Sequence, residues 1–203
     1  MLQSSFSMID QIMVGQLGEK SIAAVEIAAK PSFIYAFVIG AVGTIAGIMI
    51  SQYIGKKDIP AEEKSVCVNT LIMLIVGLLF MAISGLFARP FIALFTEDSL
   101  VITEGTHYLQ LIGLTYIPLG ISNICGVAIR CRGRSSWPLY VGALSAGINT
   151  LFNYCLIFGN SGMPKLGVRG AAIASVISQL VGALISLLLL FRLYKNMHIS
   201  IRL

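Results

Sequence analysis

The sequence predicts an all-α polytopic membrane protein, a bundle of six transmembrane helices. Three observations lead there. Of 203 residues, 57% are hydrophobic and only 11% charged, with a mean hydropathy of +0.88. Soluble domains carry about 25% charged residues and could not hide this much apolar surface. The apolar residues are gathered in long runs at 66–88, 108–129, 137–158 and 171–191, each near the ~20 residues that a helix needs to cross a ~30 Å hydrocarbon core. The runs are continuous rather than alternating, which excludes a barrel and leaves helices to satisfy the backbone in lipid.

Taken in order, the spans are expected at 1–18, 30–53, 66–89, 107–130, 137–159 and 170–193. The first is short and carries an aspartate. It lacks a basic leader and a small-residue cleavage pattern, so it reads as a transmembrane helix whose first turns are missing, not as a signal peptide. The second extends a short apolar run to Pro31 on one side and Tyr53 on the other. It holds Gly43 and Gly47, a pair four residues apart that lets a neighbouring helix approach closely. The fourth contains Pro118 and Gly120, and a proline there removes one backbone bond and should kink the helix. Pro31 and Pro138 are expected at span ends and Pro60 in a loop. No internal repeat stands out.

Charge gives the topology. The loops after even-numbered spans, with the C-terminal tail, hold nine basic residues, Lys56, Arg130, Arg132 and Lys195 among them; the opposite side holds five. The positive-inside rule places the 2–3 loop, the 4–5 loop and both ends of the segment in the cytoplasm. The net charge of +5 is thus topology and not a nucleic-acid footprint. Cys67, Cys125, Cys131 and Cys155 form no C-x-x-C pair, and His107 and His198 lie far apart, so transition-metal, haem or redox cofactors have no support. No nucleophile–base pair stands at membrane depth, which argues against an enzyme.

Polar residues inside the spans carry the functional reading. An aspartate at a helix centre costs about 2.5–3.5 kcal/mol on insertion scales. Asp10 is one, and with Gln3 and Ser7 it forms a polar stripe on one helical face. Such a face looks into the protein or a watery cavity, where the carboxylate serves a cation or a proton; at the interface it would merely be solvated. Span five offers Ser145, Asn149 and Asn153 at intervals of four, and span six Ser175 and Gln179. Amide oxygens suit hard cations such as Na⁺, and they equally serve as helix–helix hydrogen bonds. Tyr116 and Asn123, one heptad apart in span four, are candidate cavity-lining residues with Gln3, Ser7 and Gln179.

A resemblance sharpens this. The run from Met8 through Asp10 to Gly18 resembles the end of helix one in the multidrug and toxic compound extrusion (MATE) family. Further matches follow in order: Ser51-Gln52-Tyr53-Ile54-Gly55, Arg130-Cys131-Arg132-Gly133, Asn149 to Gly159, and Leu166 to Ser175. Together they cover nearly the whole chain. The resemblance implies the N-terminal lobe of a twelve-helix, two-lobe antiporter that exports organic cations and other drugs in exchange for Na⁺ or H⁺, with no cofactor beyond the coupling ion. It implies a cation site at Asp10, Asn149, Asn153 and Ser175, and a C-terminal lobe of the same protein as partner. Asn153 stands where several members have aspartate, so the site would hold one carboxylate instead of two. A lipid-linked saccharide flippase of the same superfamily is the alternative, but it should line its cavity with several basic residues. A non-transporting membrane scaffold is the other alternative, and it predicts that Asp10 tolerates substitution.

Overall fold

The computed structural model describes residues 13–160 and 162–201, with side chains described as far as Lys195. From Glu19 on, the described residues form seven helices in order: α1 (Glu19–Gly55), α2 (Ile59–Leu86), α3 (Ala88–Ala93), α4 (Ser99–Gly113), α5 (Tyr116–Cys131), α6 (Ser136–Phe158) and α7 (Val168–Ile201). Helices α1, α2, α6 and the stretch of α7 to Lys195 are each long and apolar enough to cross a membrane; α4 and α5 form a further span bent by 40°. That makes four helices of spanning length, or five with the bent pair taken as one; no strand occurs among the described residues, and the chain is a multi-pass membrane protein. Most of the first expected span, with Gln3, Ser7 and Asp10, lies outside the described residues; residues 13–15 are helical.

Local chemistry sets the helix ends. Asp58 caps α2, its carboxylate accepting from the Ala61 amide at 3.1 Å, and Pro60 occupies the first turn, where its missing N–H costs nothing. Pro60 is thus helical instead of lying in a loop. Asp98 caps α4 through the amides of Leu100 and Val101. Gly159 ends α6 in the left-handed conformation at φ 76°, a conformation that glycine adopts without strain.

Two expectations shift. Helix α1 begins at Glu19, not near residue 30, and Pro31 lies inside it. Ala23, Ala24, Ala28 and Ala29 precede the proline and favour helix strongly, and Ser21, Ala24 and Ala28 are buried, so tertiary packing carries the helix past one missing backbone donor. The interruption of span four falls at Leu114 and Thr115, ahead of Pro118. Pro118 has no N–H for the carbonyl of Leu114, so the ladder fails one turn earlier. The Thr115 hydroxyl donates instead to the Ile112 carbonyl at 2.6 Å.

Helices α6 and α7 pack as a pair, α5 sits against α2 and α7, and α4 against α1 and α7. The largest core gathers Tyr35, Ile50, Met73, Tyr116, Ile124 and Ile129. Outside, Phe33, Phe37, Leu86, Leu94, Leu188 and Phe191 are exposed. Helices apolar on every side suit a lipid solvent, where hydrophobicity does not separate core from surface. Gly43 and Gly47 do the packing expected of them. A Cβ on Gly43 would stand 2.6 Å from Asn123 Oδ1, and one on Gly47 3.4 Å from Val127, so α5 lies close against α1.

Candidate cation site

The site is built where α6 and α7 cross. Gly170 makes the crossing close: a Cβ there would lie 2.6 Å from the carbonyl oxygen of Leu156. Leu166 donates its amide to that same carbonyl at 2.8 Å, which folds the connecting loop onto the end of α6. Below the crossing, the Asn149 amide nitrogen donates to Ser175 Oγ at 3.3 Å, and the Asn153 amide nitrogen to Asn149 Oδ1 at 3.3 Å. Asn153 is buried. Three of the four residues expected to hold a cation thus meet in one hydrogen-bonded cluster of amide and hydroxyl oxygens. The fourth, Asp10, lies outside the described residues.

A polar cavity of about 380 Å³ adjoins this cluster. Asn149, Ser175, Gln179 and Asn123 all line it, as do Ser145 and Ser178. Asn123 Oδ1 is buried without a hydrogen-bond partner among the described residues. Tyr116 is elsewhere. Its ring packs 4.6 Å from that of Tyr35 and 5.9 Å from that of Phe80, its hydroxyl meets Ser32 Oγ at 3.0 Å, and its carbonyl accepts from the Tyr35 hydroxyl. It belongs to the core and not to the cavity wall. No cluster of metal-ligating His, Cys, Asp and Glu occurs among the described residues.

Sequence reasoning missed a second polar cluster. Glu62 has no exposure, and its carboxylate accepts from Arg132 and, at 2.9 Å, from the Tyr194 hydroxyl. The charge pattern counts Arg132 as a loop cation and singles out neither Glu62 nor Tyr194. The signal was present: Glu62 shares the α2 face of Val66, Asn69 and Met73, so extending that buried face backwards by one turn reaches it.

The family model MatE matches residues 1–155 of the chain. The chain belongs to the MatE family. Among curated relatives of this MatE chain, a probable multidrug resistance protein NorM of Bacillus licheniformis is 31% identical over 191 residues, covering 91% of the chain and 41% of the relative. One from Thermotoga maritima is 26% identical over 192 residues, covering 94% and 41%. Among solved structures, a MOP superfamily transporter from Pyrococcus furiosus superposes with a TM-score of 0.81 at 20% identity, covering 91% of the chain and 40% of that protein. An outward-facing multidrug resistance MATE family transporter gives 0.77 at 22%, with the same coverage. The structures share the fold of one MatE lobe. The chain spans about two fifths of the length of the relatives that it matches.

Proposed function

We propose that the chain is the N-terminal lobe of a cation-coupled exporter of lipophilic drugs, with Asp10, Asn149, Asn153 and Ser175 holding the coupling Na⁺ or proton. One layer of packing carries the reading. Val14, Ile157 and Ala171 form a buried cluster. Ile157 follows Asn153 by one helical turn and Ala171 precedes Ser175 by one, while Val14 stands four residues after Asp10 in the sequence. Helices α6 and α7 run antiparallel, so Asn153 and Ser175 lie one turn from that cluster in the same direction.

A carboxylate with amide and hydroxyl oxygens suits a hard monovalent cation. Cation binding there stabilises one packing of the first span with α6 and α7, and a drug held between the two lobes stabilises another. Coupling needs that difference in affinity between states. The missing half of the exporter is a second lobe, the medium is the cytoplasmic membrane, and the excess of basic residues at Lys56, Arg132 and Lys195 puts that end inside. The polar cavity has one basic residue in its wall, Arg130, which does not suit a pyrophosphate-carrying flippase.

The test is drug efflux by the complete open reading frame that contains these residues, expressed in cells stripped of their own exporters. Asp10→Asn is expected to reach the membrane at parental levels and to lose Na⁺- or H⁺-driven efflux. Parental efflux by that variant would remove Asp10 from the site.

A further inference from the structure

The cavity between α5, α6 and α7 extends well beyond the candidate cation cluster. It follows α6 from Asn149 back to Pro138, about 16 Å of helix at 1.5 Å per residue. At the far end stands Arg130, which is exposed. Between the two ends the wall presents hydroxyls, with Ser122 Oγ and Ser186 Oγ 3.1 Å apart across α5 and α7, and Ser145, Ser178 and Gln179 along it. The volume of about 380 Å³ has room for about a dozen waters at the liquid's share of volume. Polar groups at membrane depth line water or pair with one another, and polar side chains recur along this wall from Asn149 to Arg130.

We propose that this cavity is a hydrated ion route from the candidate cation cluster to the Arg130 face of the membrane, with the Arg130 guanidinium as its electrostatic gate. The inference rests on the cation reading for the identity of the ion, but the route is defined by its own residues. Gly126 shows how the gate is seated. A Cβ there would lie 3.3 Å from Arg130 Nη1 and 3.7 Å from Pro138 Cβ, so the guanidinium folds back one turn over a bare backbone at the cavity's end. A fixed positive charge at the polar mouth of a cavity raises the barrier to a cation. It keeps the route closed to free leak while leaving it wet. Movement of Arg130 off Gly126 opens it.

Cysteine accessibility tests the route without requiring transport. Ser145→Cys and, separately, Ala146→Cys place a thiol on the cavity wall; Leu184→Cys, on an exposed apolar face, is the lipid-facing control. Membranes carrying the full chain are treated from one side at a time with a membrane-impermeant cationic thiosulfonate, and labelling at each cysteine is read by peptide mass spectrometry. The expected result is labelling of at least one wall cysteine from the Arg130 side and none of the control. The rate should rise about tenfold with Arg130→Met, which removes the repelling charge, and should rise also with Gly126→Ala, which displaces it. Labelling only from the opposite side, or of neither wall cysteine in protein that labels when unfolded, overturns the route. An unchanged rate in both Arg130→Met and Gly126→Ala overturns the gate. Labelling that behaves as expected but ignores added Na⁺ and pH supports the route and counts against the cation cluster, so the two readings fail separately.

Discussion

Arg132 grips the carboxylate of Glu62, a side chain with no exposure to solvent, through Nε at 2.8 Å and through Nη2. The pair ties the first turn of α2 to the residue that caps α5, and Tyr194 of α7 adds its hydroxyl to the same carboxylate. Removing Arg132 leaves the Glu62 charge buried and unmatched, so Arg132→Ala is expected to cost about 3–5 kcal/mol. Glu62→Ala leaves a part-exposed Arg132 and is expected to cost less. Tyr194→Phe, which takes one hydrogen bond to a charged group, is expected to cost about 1.5 kcal/mol. Thermal unfolding in detergent measures all three. The double alanine variant should cost far less than the sum of the singles, because the contact is shared.

Glycine at the α6–α7 crossing has a specific purpose. Gly170→Ala drives a methyl group into the Leu156 carbonyl, and backbone cannot swing aside as a side-chain tip can. A loss of about 1–3 kcal/mol is expected, with displacement of Ser175 from Asn149. Gly142 and Gly147 on α6 have nothing within 4 Å of an added Cβ, so alanine there should be neutral or gain up to about 1 kcal/mol from helix propensity. Equal losses at all three positions would mean that the crossing is looser than drawn.

Asn153→Asp puts a carboxylate into a buried position beside Asn149. An unpaired carboxylate is costly to bury, so the variant is expected to be less stable than its parent at neutral pH. Sodium should recover part of the loss if the cluster binds cations, and choline should not. Melting curves at neutral pH in the two salts decide it.

Most of the fold was legible in the sequence because lipid imposes a simple rule: long apolar runs become helices, and α2, α6 and α7 fall where the runs do. The start of α1 was not legible, since Glu19, Lys20 and Glu26 interrupt hydropathy while the alanines between them sustain helix. Asn149, Asn153 and Ser175 could be read from spacing, since polar residues four apart share a face. Tyr116 shows the limit of that logic. Its spacing from Asn123 is right, but Tyr35 and Phe80 enclose its ring from helices far away in sequence. Glu62 escaped because its partners, Arg132 and Tyr194, come from two other helix ends, a meeting that no local pattern encodes.

At the opposite end of the bundle, Lys20 Nζ lies 2.7 Å from Asp98 Oδ2. The Asp98 carboxyl titrates below its ordinary 3.8, first through the hydrogen bond from Lys20 and then through the Leu100 amide that it caps. A lowered folded pKa contributes stability above the unfolded value, and that stability is lost as pH falls through the lower one. Asp98→Asn keeps a capping side chain and removes the charge. Its deficit against the parent should therefore be full at neutral pH, vanish below the folded pKa, and shrink in high salt. Melting temperatures across acid pH at two ionic strengths measure it.

The bend at Leu114 and Thr115 divides one membrane crossing into two arms. Both touch α1, α2 and α7, the α4 arm chiefly α1 and the α5 arm chiefly α2. A straight rod would carry any tilt from one leaflet to the other undiminished. This articulated one puts a joint between the arm capped by Asp98 and the arm that Glu62 holds through Arg132, so the span has a place where a tilt on one side can be absorbed before it reaches the other.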